Sequence, residues 1–143
     1  MNKEKLVQYS VLLLRLVSAL LFVEVGGLKL FGWFGGMPNG MPLPPLLLVA
    51  GVLEVFGGLA IALGLFTRPV AFLLSGEMAV AYFIGHVFGQ MPPYRGHVLV
   101  PMLNQGQPAV LLCFIFLFFA AYGGGEFSFD ALYKKFKKSS PSS

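Results

Sequence analysis

Charge is what this chain has least of. Asp, Glu, Lys and Arg make up 11% of its 143 residues, where a soluble domain carries about 25%. Hydrophobic residues make up 57%. So few charged groups cannot keep a surface in water, so a soluble globular fold is excluded and a membrane-embedded one is expected. Cysteine is almost missing: Cys113 stands alone in an apolar run, which excludes an intramolecular disulfide and a CxxC motif. His86 and His97 are the only histidines. No zinc motif, phosphate loop, Ser/His/Asp set or haem CxxCH is present, and no metal site is expected. The net charge of +4 is no nucleic-acid signal. Four of the ten basic residues, Lys134, Lys135, Lys137 and Lys138, crowd near the end, where they read as a membrane-surface and topology signal.

What the chain has is long apolar runs broken by Gly and Pro. Four segments approach the roughly 20 apolar residues of a membrane-spanning helix: about 7–31, 43–66, 69–88 and 107–122. Lys3 and Lys5 precede the first as they would a signal peptide. That run is long, carries Arg15 and Glu24, and lacks a clear small-x-small cleavage site, so it is read as a retained helix. GWFGGMPNGMPLPP separates helices one and two, and such a stretch cannot continue a helix. Only Gly64 to Pro69 separates two and three, which predicts a tight antiparallel hairpin. A longer loop with an apolar patch, Val98–Leu103, precedes the fourth. The fold class expected is all-α, a four-helix transmembrane bundle over residues 1–126. Residues 127–143 form a basic tail, partly disordered, with a short amphipathic surface helix from Ser128 to Lys138.

Four spans put both termini on one side, together with Lys3, Lys5, Arg68 and the terminal lysines, leaving Lys29 and Arg95 on the other. The excess of positive charge makes the first side cytoplasmic. Lys29, Arg68 and Trp33 are read as interface and topology residues, and Tyr94 suits an interfacial belt. Gly57, Gly58 and Gly64, with Ala60 and Ala62, give helix two a small-residue face for close packing.

The informative residues are ionisable groups inside the spans: Arg15, Glu24, Glu54, Glu77 and His86. Such groups are costly in hydrocarbon and usually turn inward and pair. At a helical rise of about 1.5 Å per residue, Arg15 and Glu77 share a level roughly 15 Å in, with Glu54 slightly beyond, and Glu24 and His86 lie near the far face. The expectation is an inner cluster of Arg15, Glu77 and Glu54, whose surplus negative charge is met by a proton on one carboxyl or by a cation or donor-rich ligand. An outer Glu24–His86 pair is expected, with Asn104, Gln105 and Gln107 adding hydrogen bonds. The bland alternative makes these groups structural glue.

The same residues resemble the DoxX family over about Leu13 to Asp130. Helix one, LLLRLVSALLFVEVGGLKLFGWFG, is similar to the family's Arg-bearing first helix with its E-H-G-x-x-K-L-F-G ending. Helix two, with AGVLEVFGG and GLFTRP, matches the family's A-G-x-x-E-x-x-G-G and G-L-F-T-R. EMAVAYFIGH and NQGQPAV continue the match. Two positions depart: Val25 stands where the family has His, and Gln107 replaces the Glu of its N-G-G-E. The resemblance implies a bacterial cytoplasmic-membrane protein. Some members look like subunits of quinone-linked oxidoreductases, including the DoxD-like part of thiosulfate:quinone oxidoreductase, and others are linked to oxidative-stress and thiol systems.

The function expected is a membrane subunit of a quinone-linked or thiol/oxidative-stress redox complex, rather than a stand-alone enzyme. It has no intrinsic cofactor; a quinone headgroup is held by Arg15 or His86, and Glu54 and Glu77 pass protons. Its partners are the lipid bilayer and other chains of a membrane complex or homo-oligomer. The alternatives are a non-catalytic scaffold or assembly factor, and a small proton-coupled transporter.

Overall fold

The first helix has a specified start and a specified end. The Asn2 side chain accepts the Glu4 backbone N–H at 2.6 Å, an N-cap. Gly32 stops the helix in the left-handed region at φ 68°, which a residue without Cβ adopts at no steric cost. Between them runs α1, Lys3–Phe31. A computed structural model of the chain describes residues 2–36, 43–89 and 99–139. After α1 come a 3-10 turn at Trp33–Gly35, then α2 (Pro45–Leu63) and α3 (Thr67–Val87), α4 (Gln107–Tyr122) and α5 (Phe129–Ser139). There is no strand among the described residues. By length and composition α1, α2 and α3 are each able to cross a membrane, and α4 is a shorter apolar helix.

Most boundaries follow the sequence. Pro45 and Pro108 sit in the first turns of α2 and α4, where a missing N–H costs no hydrogen bond. Helix one starts at Lys3 rather than residue 7 because Asn2 caps it. Helix two ends at Leu63 because Gly64 turns left-handed at φ 71°. Helix three starts two residues before Pro69. There Phe66, at φ 45°, and Thr67 donate their backbone N–H groups to the two carboxylate oxygens of Asp130, each at 2.8 Å. A carboxylate at a helix N-terminus meets both unpaired donors and the positive end of the helix dipole.

The packing pairs α1 with α2 and α3 with α4. One core draws Ala19 and Phe22 from α1, Ile61 from α2, Leu74 from α3, and Phe116 and Phe119 from α4. Phe22 meets Phe116 edge to face, with centroids 4.8 Å apart. Leu13, Leu20, Phe72 and Phe114 point outward. Lipid tails are as apolar as these side chains, so small residues and polar contacts must hold the helices together. The small-residue face of helix two serves two neighbours: Gly58 lies against Ala19 and Val23 of α1, and Gly57 against Leu74 of α3.

The amphipathic tail helix is Phe129–Ser139, capped by Ser128, whose Oγ accepts the Ala131 N–H at 3.2 Å. Leu99 and Met102, from the apolar patch before α4, are exposed. Tyr94, Arg95, His97, Val98 and the Ser-rich tip at 140–143 lie outside the described residues.

Candidate functional site

The close approach of α1 to α2 creates the central group. A Cβ on Gly26 would collide with the Glu54 Cβ, the Val55 Cγ2 and the Gly51 carbonyl, so only glycine lets the two helices touch there. One helical turn on, Lys29 lies over Gly51. The helices are antiparallel, so Gly26-x-x-Lys29 reads against Gly51-x-x-Glu54, each charged residue facing the other helix's glycine. Lys29 Nζ then donates to Glu54 Oε1 at 2.5 Å. The Glu54 side chain is 3% exposed, and its Oε2 is buried without a partner among the described residues. Glu54 sits in a π-helical stretch, Leu53–Gly57, a local widening that is often found at functional sites.

Glu77 on α3 completes the group. Both of its carboxylate oxygens are buried without a hydrogen-bond partner among the described residues, and it lies within electrostatic reach of Glu54 and Lys29. Two carboxylates and one ammonium thus lie within electrostatic reach of one another. Three buried acceptor atoms, both oxygens of Glu77 and Oε2 of Glu54, have unmet hydrogen-bonding capacity, an arrangement that costs free energy unless a proton or a donor meets it.

Arg15 is not part of this group, contrary to the expected Arg15–Glu77–Glu54 cluster. Its Nη1 donates to the Gly124 carbonyl at 2.5 Å and its Nη2 to the Phe127 carbonyl at 2.6 Å. The side chain is fully buried and pins the glycine-rich turn after α4 against α1. The depth estimate failed because α1, at about 43 Å, is longer than a hydrocarbon core of about 30 Å. Its first turns run past the α2–α3 turn, so Arg15 lies level with Gly64 and Ser128. Lys29, read from the sequence as an interface residue, is instead the cation of the central group.

The outer tier also differs from expectation. His86 does not pair with Glu24: its Nδ1 faces the Asn104 carbonyl at 3.0 Å, and since a carbonyl only accepts, Nδ1 is the donor. Asn104 is buried. Its Nδ2 donates to the Tyr82 hydroxyl at 3.1 Å, and its Oδ1 accepts the Gly106 N–H at 2.9 Å. Tyr82 and His86 share the second π-helical stretch, Tyr82–Val87. Glu24 is half-buried on α1, whose main neighbour is α2, and it makes no ion pair with His86 among the described residues. Gln107 is exposed at the start of α4 and adds nothing to this tier. Val25 is 45% exposed, so a side chain at that position points outward. Trp33 covers Gly27, and Arg68 is exposed in the first turn of α3.

Sequence reasoning gives Lys29 only an interface role and misses Tyr82 and Asp130. The matched spacing of glycine and charge in helices one and two would have found Lys29. Nothing in the sequence marks the Gly124 and Phe127 carbonyls, since backbone acceptors carry no residue signature.

Comparison with known proteins agrees with the architecture. The sequence model of the DoxX family matches residues 10–87. An uncharacterized protein of Haemophilus influenzae is 42% identical over 139 residues, covering 96% of this chain and 98% of the relative. The inner membrane protein YphA of Escherichia coli is 32% identical over 124 residues, covering 83% of this chain and 86% of the relative. No solved structure matches. With its apolar helices of spanning length, the chain is a multi-pass protein of the bacterial inner membrane, and it belongs to the DoxX family.

Proposed function

We propose that this protein is a membrane subunit of a quinone-linked or thiol/oxidative-stress redox complex, with Lys29, Glu54 and Glu77 as its proton-handling group. The observation that carries this reading is the set of carboxylate oxygens on Glu54 and Glu77 that are enclosed and unpartnered among the described residues, close to the ammonium of Lys29. Buried acceptors of this kind call for a donor. Ionisable groups inside a membrane mark proton relays and ligand sites more often than they mark nothing. A quinol supplies two hydroxyl donors and, on oxidation to quinone, gives up two protons and two electrons. Glu77 and Glu54 are placed to take the protons, Lys29 holds Glu54 in position, and the electrons pass to a partner chain. Arg15, committed to two backbone carbonyls, has no part in binding.

The topology that goes with this reading is a four-helix bundle crossing the membrane four times, with both termini cytoplasmic. α4 spans about 24 Å and packs along α3. α1, the α2–α3 turn and the segment after α4 are fastened together by Arg15 and Asp130. The end of the bundle where they meet gathers Lys3, Lys5, Arg68 and the lysines of α5.

The test is mass spectrometry of lipid extracts and co-purifying chains from protein isolated in mild detergent. Bound quinone with an oxidoreductase partner, the quinone lost in Glu77→Gln, supports the reading. A folded sample with neither overturns it. The second reading, a scaffold or assembly factor, draws on Arg15 and Asp130, two charged residues used here as fasteners. It gains if Glu54→Gln with Glu77→Gln leaves the host pathway unchanged.

A further inference from the structure

We propose that the groove between α5 and the start of α3 binds the headgroup of an anionic phospholipid at the membrane surface. α5 is fastened by its first turn, through Asp130 to the α2–α3 turn and through the Asp130 backbone N–H to the Gly64 carbonyl at 3.0 Å. Beyond that turn, Leu132, Tyr133 and Phe136 are exposed. A helix with such an apolar face and four lysines has the composition of one lying in a bilayer interface.

Between α5 and the ends of α3 and α4 lies a cavity of about 1370 Å³, lined by Arg68, Tyr122, Lys134, Lys135, Phe136 and Lys138 among others. Its charged residues are five cations, these four with Lys137, and two carboxylates, Glu126 and Asp130. Asp130 is engaged with two backbone donors, so the groove presents a clear excess of unmatched positive charge. Arg68 is the second residue of an apolar span, so the groove opens where hydrocarbon gives way to headgroups. Phe72, one turn further along α3, is 70% exposed and offers an acyl chain an apolar surface directly beneath. A cationic mouth above an apolar wall is complementary to a molecule with a phosphate at one end and a hydrocarbon chain at the other. This inference goes beyond the redox reading and needs only that the apolar helices lie in the membrane.

The test titrates the full-length protein in mild detergent with phosphatidylglycerol and with phosphatidylcholine of the same acyl chains, and counts bound lipid by native mass spectrometry. The expected result is retention of phosphatidylglycerol at least about tenfold over phosphatidylcholine, falling about fivefold when one groove cation is removed. Arg68→Gln, and separately Lys134→Gln with Lys135→Gln, should each lower the preference. Lys3→Gln with Lys5→Gln, which removes charge from the same end outside the groove, should leave it unchanged. An equal loss in the Lys3 and Lys5 variant would mean diffuse surface attraction and overturn the site, as would equal retention of both lipids by the unaltered protein. Should the Arg68 variant fail to fold, the lysine variant on the exposed part of α5 carries the test.

Discussion

Lys29 of α1 and Glu54 of α2 pair across a helix crossing in which each faces a glycine of the opposite helix. The two glycines bring the backbones close enough for the ammonium to reach the carboxylate. Among the described residues this is the one ion pair that either charge makes, with Glu77 within electrostatic reach of Lys29. Lys29→Met leaves Glu54 enclosed without its cation, a loss expected to cost about 3–5 kcal/mol. Lys29→Met with Glu54→Gln removes both charges and should recover most of that stability. Thermal melting in detergent gives the comparison, and a double variant no more stable than the single one rules out the pairing. Arg15→Leu and Glu77→Leu should by contrast show additive losses, since these two residues belong to separate groups.

The glycine at the crossing can be tested without touching charge. Gly26→Ala places a methyl against Glu54, Val55 and the Gly51 carbonyl. Two of those neighbours are backbone or backbone-linked atoms that cannot swing aside, so the helices must separate, at an expected cost of about 1–3 kcal/mol. Gly76→Ala on α3 meets nothing within 4 Å and should leave the melting temperature unchanged or raise it slightly, since Ala favours helix over Gly. Equal melting temperatures for the two variants would show that α1 and α2 do not cross at Gly26.

The helices were legible because hydropathy, Pro and Gly act locally. The apolar run of α4 ends where Gly123 follows Tyr122, and the helix bounds, Gln107–Tyr122, match the run. The partners of the buried charges were not legible, because counting residues fixes a height along a helix and not the direction a side chain faces. Arg15 and Glu77 looked level, yet Arg15 turns to the segment after α4. Glu24 and His86 looked level, yet α1 packs on α2. Glu54 and Glu77 were recognised as buried because a carboxylate in an apolar run stands out whatever its partner. Both π-helical stretches fall on expected site residues, and no composition or spacing signal marks a π turn.

Arg15 holds the turn after α4 by two hydrogen bonds from one guanidinium to carbonyls three residues apart. A lysine offers a single point charge and lacks the planar fork that reaches both. Arg15→Lys should therefore keep the fold but loosen residues 124–128, and Arg15→Leu should loosen them further. Limited proteolysis around Glu126 reads this directly: cleavage should rise in the order Arg, Lys, Leu. An unchanged cleavage rate in both variants would show that the turn is held by something other than Arg15.

Asp130 caps a helix that begins sixty-three residues earlier in the chain, accepting from Phe66 and Thr67 through both carboxylate oxygens. Phe66 is a bulky residue held at φ 45°, a conformation that costs about 1–2 kcal/mol in isolation, so the cap also offsets local strain. Asp130→Ala should lower stability by about 1–2 kcal/mol. Asp130→Asn, which keeps one acceptor oxygen, should fall between Ala and the native residue. If the bond to Asp130 holds Phe66 in its left-handed conformation, Phe66→Gly should be nearly neutral alone and should soften the effect of Asp130→Ala. Melting curves of the four proteins form a double-mutant cycle. Strict additivity in that cycle would mean that the φ of Phe66 is set by the α2–α3 turn itself, and that the tail docks on a turn already formed.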